Sequence, residues 1–407
     1  MNFLDIQQVQ QKFHHLTSIK DKPSLDLTRG KPHADQLSLS NSLLEIKTED
    51  LLNNQIDLRN YGELFGLEDC RKLGSEIIGC SKDLVIAGGN SSLTLMHQYL
   101  SSLYFHGPSQ VPWSNQERIS ILCPVPGYDR HFKLCEEFGI NMIPVPLTGQ
   151  GPDIDHISEL VAQDASIKAI WCVPKHSNPT GETYSEDCVS ELLRLSTLKK
   201  DGFKILWDNA YAVHDFQESP DLPNVFNLAS KIGALDSVIS FASTSKITFA
   251  GGGIGFIAMS EENLHKFSKH YASMVIGPDK INQARHTYFF KDIEAIGEHM
   301  KNHAEIVKPK FDEAFKWLSK QNHGTWTKPT GGYFISFNSN PGLAKEIITL
   351  ASQAGLKLTK AGSTYPYGVD PLDCNIRIAP TACSLEEVEK AMEIFVTCLS
   401  LATLKKN

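Results

Sequence analysis

The sequence predicts an α/β fold: a mainly parallel sheet covered by helices on both faces, followed by a smaller α+β unit. Three observations carry that prediction. Between about Asp57 and Pro278, short apolar runs alternate with helical patterns, the rhythm of strands joined by crossover helices. The runs themselves (Leu84–Ala87, Ile119–Leu122, Met142–Val145, Ile167–Val173, Lys204–Trp207 and Val238–Phe241) suit parallel strands buried on both faces. From about Asp279 the pattern changes to a long helical stretch through Trp317. After it come strand-like Gly332–Phe337 and Cys374–Ile378, and a helix from about Leu385. Residues 1–56 read as a segment joining the small domain, 57–290 as the large domain and 291–407 as the small one.

At 407 residues the chain can bury a large core and is expected to form two domains. Hydrophobic content of 41% and charged content of 21% are ordinary for a globular enzyme. A net charge of -8 argues against a nucleic-acid surface. The first residues lack the pattern of a signal peptide, and no apolar run approaches membrane-spanning length. The nine cysteines contain no Cys-x-x-Cys pair and read as reduced thiols, so a cytoplasmic location is expected, with no membrane partner.

Polar residues gather where the predicted strands end. Lys246 stands in Phe241-Ala-Ser-Thr-Ser-Lys246, just past an apolar run and before Gly251-Gly-Gly253. A lysine there can be partly desolvated, which lowers its pKa and frees the amine to attack a carbonyl. Ser243 and Ser245 beside it are good phosphate donors. Val173–Gly181 and Phe203–Tyr211 place Asn178, Asp208 and Tyr211 past the ends of two more strands, the edge where open α/β sheets bind ligands. An amine, a carboxylate for a ring nitrogen and two partners for a phenolate oxygen are the parts a pyridoxal phosphate (PLP) site needs. Gly89, Asn90 and Ser91 lead into an amphipathic helix, with Asn90 or Ser91 as N-cap and a first turn of free amides suited to a phosphate.

These motifs resemble those of the fold-type-I PLP-dependent aminotransferases. The resemblance rests on Ser177-Asn-Pro-Thr-Gly181, Asp208-Asn-Ala-Tyr211 and Ser243-Thr-Ser-Lys246, and runs in order from about Leu27 to Pro380. Leu27-Thr-Arg-Gly-Lys-Pro32, Arg59-Asn-Tyr-Gly62, Cys123–Phe132 and Gly331-Gly-Tyr-Phe334 are similar to a bacterial aspartate aminotransferase branch related to the aminotransferase domains of MocR-type regulators. Such a regulator, binding PLP without catalysis, is a remote alternative; an aminotransferase of other specificity or a PLP-dependent lyase is a nearer one.

The resemblance implies a large domain with a seven-stranded sheet, PLP on Lys246, and transamination of L-aspartate with 2-oxoglutarate. It assigns Gly89, Asn90, Ser91, Ser243 and Ser245 to the phosphate, Tyr128 to the ring face, and His131 to bracing Asp208. Asn178 and Tyr211 fall to the phenolate oxygen, and Arg377 to the substrate α-carboxylate, with Asn178 and Gly30 nearby. Tyr61 resembles a tyrosine given to the neighbouring subunit's phosphate, which implies a homodimer with shared sites. One departure is plain: many relatives carry a phosphate-binding arginine eight positions after the lysine, and here that position is Ile254. Lys280 is a candidate replacement. For the second carboxylate of a dicarboxylic substrate the cations in view are Arg29, Lys31, Lys280 and Arg285. His299 and His303, one helical turn apart, read as a solvated helix face and not a metal site, and no metal is expected.

Overall fold

The computed structural model describes residues 6–19, 24–47, 49, 56–108, 111–199 and 202–406. Along the chain the strands are β1 (Leu25–Asp26), β2 (Val85–Ala87), β3 (Ser120–Val125), β4 (Asn141–Pro146), β5 (Ile167–Cys172) and β6 (Lys204–Asp208). They continue as β7 (Val238–Ser243), β8 (Gly255–Met259), β9 (Gly324–Trp326), β10 (Ile335–Ser339), β11 (Leu356–Lys357) and β12 (Asn375–Ile378).

Seven strands form one sheet in the order β2-β8-β7-β6-β5-β3-β4. The pairings from β4 through β7 are parallel, and β8 runs antiparallel to both its neighbours. Every residue of β6, β7 and β8 is buried, while in the edge strand β4 only Met142 and Val145 are. That contrast follows from helices covering both faces of the central strands. Strand β8 has no counterpart among the six apolar runs read from the sequence, because it is short and follows directly on a glycine-rich stretch. Its reversal turns residues 244–254 into a return connection at the edge where the parallel strands end, since Ser243 pairs with Gly255.

The single helix expected after Asp279 is two, Lys280–Phe289 and Ile293–Leu318. Asp292 starts the second, its side chain accepting from the Ala295 amide at 2.9 Å. This helix serves two cores. Ile296 and Met300 pack with the large sheet, whereas Val307 and Phe311 pack with Phe337, Phe395, Leu25 and Leu27. The second core lies against the antiparallel sheet β12-β10-β9 and the parallel pair β1-β11, so the N-terminal segment shares a core with C-terminal residues.

His299 and His303 are buried, contrary to the solvated face expected. The segment around Gln36 and Ser40 covers them: His303 Nδ1 lies 3.0 Å from Gln36 Nε2, the two rings meet at 3.1 Å, and His299 Nε2 lies 2.9 Å from the Ile247 carbonyl. Burial pulls His303 down to about 4, which keeps it neutral.

Candidate active site

The ends of β3, β5, β6 and β7 and the loops after β1 and β11 converge on a cavity of about 690 Å³. Its walls include Lys246, Asp208, Tyr211, Asn178 and Tyr128 from the large sheet's edge. Phe334 and Arg377 face them from the smaller unit, and Thr28, Arg29 and Gly30 come from the N-terminal segment. Ligands gather at this edge because strand ends splay side chains from neighbouring loops around one crevice.

Asp208 ends β6 and is 2% exposed. One oxygen, Oδ2, lies 3.0 Å from His131 Nε2, and the His131 ring stacks on Trp171 with centroids 4.1 Å apart. The other oxygen, Oδ1, is buried and has no partner among the described residues. A buried carboxylate oxygen left unpaired is costly, so its position calls for a donor from a bound group. Lys246 Nζ sits 5.0 Å above the Tyr211 ring. Burial lowers the Lys246 pKa, and the Asp208 charge partly offsets this. Burial also holds the Tyr211 phenol well above its ordinary range, so it remains a hydroxyl.

The glycine-rich turn before helix Ser92–His106 lies beside the Lys246 connection. Ser91 caps that helix, its Oγ accepting from the Leu93 amide at 3.2 Å. Gly255 N–H donates to the Gly89 carbonyl at 2.7 Å, and Ser245 Oγ donates to the Asn90 carbonyl at 3.1 Å. Thus Gly89, Asn90, Ser91 and Ser245 meet at one helix N-terminus, with Ser243 closing β7 nearby. Ile254 is 1% exposed in the core, and its amide donates to Thr244 Oγ1 at 2.8 Å.

Arg377, on β12, is 6% exposed. Its Nη1 donates to Asp129 Oδ1 at 2.9 Å and to Asn178 Oδ1 at 3.3 Å, and Nη2 donates to the Thr28 carbonyl at 3.3 Å. Its guanidinium stands 4.9 Å over the Phe334 ring. Gly30 is required beside that ring: a Cβ there would lie 2.4 Å from Phe334 Cζ.

Several sequence-derived candidates do not line the cavity, among them the phosphate candidates Gly89, Asn90, Ser91, Ser243 and Ser245. Lys280 is buried, and its Nζ donates to the carbonyls of Asn60 at 2.5 Å and Gly62 at 3.2 Å, fixing the loop that carries Tyr61. Tyr61 itself is 81% exposed. Lys31 and Arg285 are likewise absent from the cavity wall. Conversely, Asp129, Arg130, Phe334 and Lys360 line it and were not singled out from the sequence. The signal was present for Asp129 and Arg130, two opposite charges directly after Tyr128.

A model of the family described as aspartate amino-transferase matches residues 5–407. The chain belongs to the aspartate aminotransferase family. It is 41% identical over 405 residues to an aspartate aminotransferase of Corynebacterium glutamicum, covering 97% of this chain and 93% of that one. The crystal structure of an aspartate transaminase from that organism superposes with a TM-score of 0.92 at 40% identity, over 98% of this chain and 96% of the other. An α-aminoadipate aminotransferase from Thermus thermophilus shares the fold, with a TM-score of 0.78 at 20% identity over 99% of this chain and all of that one. The chain is therefore an aminotransferase of the fold-type-I class.

The residues present fit PLP. The unpaired Asp208 oxygen suits a ring N–H, the Tyr128 ring offers a flat face, and the turn at Gly89–Ser91 offers amides and hydroxyls to a phosphate. Among the described residues no helix is long and apolar enough to cross a membrane.

Proposed function

We propose that this protein catalyses the PLP-dependent transfer of the amino group between L-aspartate and 2-oxoglutarate, by a ping-pong cycle. The observation that carries the reading is the single cavity shared by Lys246, the half-paired Asp208 and Arg377. When bound, PLP supplies an electron sink that acidifies the substrate's Cα–H bond. Asp208 holds a proton on the ring nitrogen by its charge, and His131 fixes that carboxylate. Asn178 and Tyr211 supply polar groups for the ring oxygen. Arg377 takes the substrate α-carboxylate, and Lys246 would remove the proton from Cα as base and deliver it, as acid, to the C4′ carbon of bound PLP. Its lowered pKa suits both roles.

The relative named as an aspartate aminotransferase supports the dicarboxylic substrate. So does the charge of the cavity wall. Arg29, Arg130 and Lys360 are exposed there, and none makes an ion pair with another described residue. A second carboxylate would find its counter-charge among these three. Lys280 is better read as a scaffold for the Tyr61 loop than as a ligand for phosphate or substrate. The exposed Tyr61 ring supports a homodimer in which each subunit contributes to the other's site. Nine free thiols favour a cytoplasmic setting.

The test is a half-reaction. Purified protein loaded with PLP is mixed with L-aspartate and no oxo acid. Conversion of the bound PLP absorbance to that of pyridoxamine phosphate, with release of oxaloacetate, is expected. If only a different amino acid drives the conversion, the specificity fails and the chemistry stands. If no amino acid does so, transamination at this site fails.

A further inference from the structure

We propose that Asp129 is an exchangeable counter-ion for Arg377: its carboxylate neutralises the guanidinium between turnovers and gives way to the substrate carboxylate on binding. This rests on the reading that Arg377 receives that carboxylate. Arg377 is almost fully buried, and an unpaired charge there would be strongly destabilising. A transamination cycle admits and releases a carboxylate twice, so Arg377 needs a negative partner at each exchange. Among the described residues, Asp129 is the acid paired with it, at 2.9 Å. The other oxygen partners, Asn178 and the Thr28 carbonyl, are neutral.

The two members of the pair differ in burial. The Arg377 side chain is 6% exposed and that of Asp129 30%. Asp129 opens helix Asp129–Glu137, where the amide dipoles favour a carboxylate even when it is unpaired. Detaching it is therefore cheap on the aspartate's side, whereas the guanidinium passes from one anion to another. Asp129 and Asn178 together engage Nη1, so an incoming carboxylate that uses the outer end of the guanidinium must compete with Asp129. The consequence is weaker carboxylate binding than Arg377 alone would give, and faster release.

The test uses the PLP-loaded enzyme with succinate, a dicarboxylate without an amine, as competitive inhibitor and thermal-shift ligand. Asp129→Asn is expected to lower the Ki for succinate by about ten-fold or more, the worth of a hydrogen bond to a charged group. Its melting temperature should fall without ligand and rise more on adding succinate than that of the wild type. Asp129→Glu, which keeps the charge, should restore the wild-type Ki. In an Arg377→Gln background, Asp129→Asn should leave the Ki unchanged. An unchanged or raised Ki in folded Asp129→Asn overturns the proposal, as does a fall that persists without Arg377. If Asp129→Asn does not fold, Asp129→Ser is judged by the same criteria. Wild type that transaminates aspartate while Asp129→Asn binds no tighter removes only the counter-ion role. Wild type that neither transaminates aspartate nor binds succinate removes the Arg377 reading and this proposal with it.

Discussion

Replacing His131 with phenylalanine separates two things the imidazole does. Its Nε2 lies 3.0 Å from Asp208 Oδ2, and its ring lies 4.1 Å from Trp171 at an interplanar angle of 7°. Phenylalanine can keep the stack, worth about 0.5–1.5 kcal/mol, but leaves Asp208 with neither oxygen paired among the described residues, since Oδ1 already lacks a partner there. Losing a hydrogen bond to a buried charged group costs about 1.5–3 kcal/mol. His131→Phe should therefore destabilise the cofactor-free protein by about 1.5–3 kcal/mol, and His131→Ala by more, because the stack goes too. Urea unfolding of both variants without PLP measures this. PLP affinity should also fall, because Asp208 loses the group that aims it. A His131→Phe protein within about 0.5 kcal/mol of wild type, the range of an ordinary surface change, with unaltered PLP affinity, would refute the claim that His131 braces the carboxylate.

Three further outcomes follow from the same geometry. Lys246→Ala should fold and bind PLP yet show no half-reaction with L-aspartate, read by absorbance; turnover in that variant would deny Lys246 the proton transfer. Charge removal at Arg29, Arg130 and Lys360 together should raise KM for aspartate by about three- to ten-fold, the scale of lost charge complementarity, and leave that for alanine little changed; equal effects on both would argue against a distal carboxylate subsite. Glu182 supplies the pH test. Burial raises its pKa from 4.5 to about 7, although the Gly151 amide donates to it at 2.9 Å. The folded protein thus holds a proton that the unfolded chain has lost, so this group's stabilising contribution is complete below pH about 4.5 and falls away as pH rises to about 7, by up to about 3 kcal/mol. Glu182→Gln should flatten that slope and be more stable than wild type at pH 8 in thermal unfolding, and an unchanged slope would contradict the assignment.

Much of this was legible because the large sheet writes its pattern into local sequence. Strands buried on both faces are largely apolar, and polar residues at or just beyond their ends mark the ligand edge, which is why Asn178, Asp208 and Lys246 could be placed there without a structure. Strand β8 escaped because five residues after Gly251-Gly-Gly253 give no period to read. Asp129, Arg130, Phe334 and Lys360 escaped for another reason. Their part in the cavity arises only when the loop after β3 meets Phe334 and the loop after β11 in the smaller unit, residues more than two hundred positions apart. The histidines at 299 and 303 show the same limit. A helix carrying charges at neighbouring positions looks solvated until a short segment such as Ala34–Ser38 is laid across it.

That covering segment bears on the chemistry, because the cavity joins two separate cores. Asp208 and Lys246 belong to the large sheet's edge, while Arg377 sits on β12 against the smaller core. On the proposed reading, a substrate held by Arg377 meets Lys246 correctly only if the cores keep their relative position. Helix Ile293–Leu318 contributes to both, and a buried polar chain crosses between them beside Lys246. The Tyr333 hydroxyl donates to the Lys246 carbonyl at 3.3 Å and accepts from Gln36 Nε2 at 3.1 Å, and Gln36 in turn meets His303. Buried hydrogen bonds of this kind are costly to break one at a time and resist sliding more than apolar contacts do. The Lys246 backbone is thereby tied to the N-terminal segment whose Thr28 carbonyl receives Arg377 Nη2. The amine and the guanidinium are thus held in register by the same stretch of chain, Thr28 to Ser40, which approaches the cavity at one end and locks the histidine pair at the other.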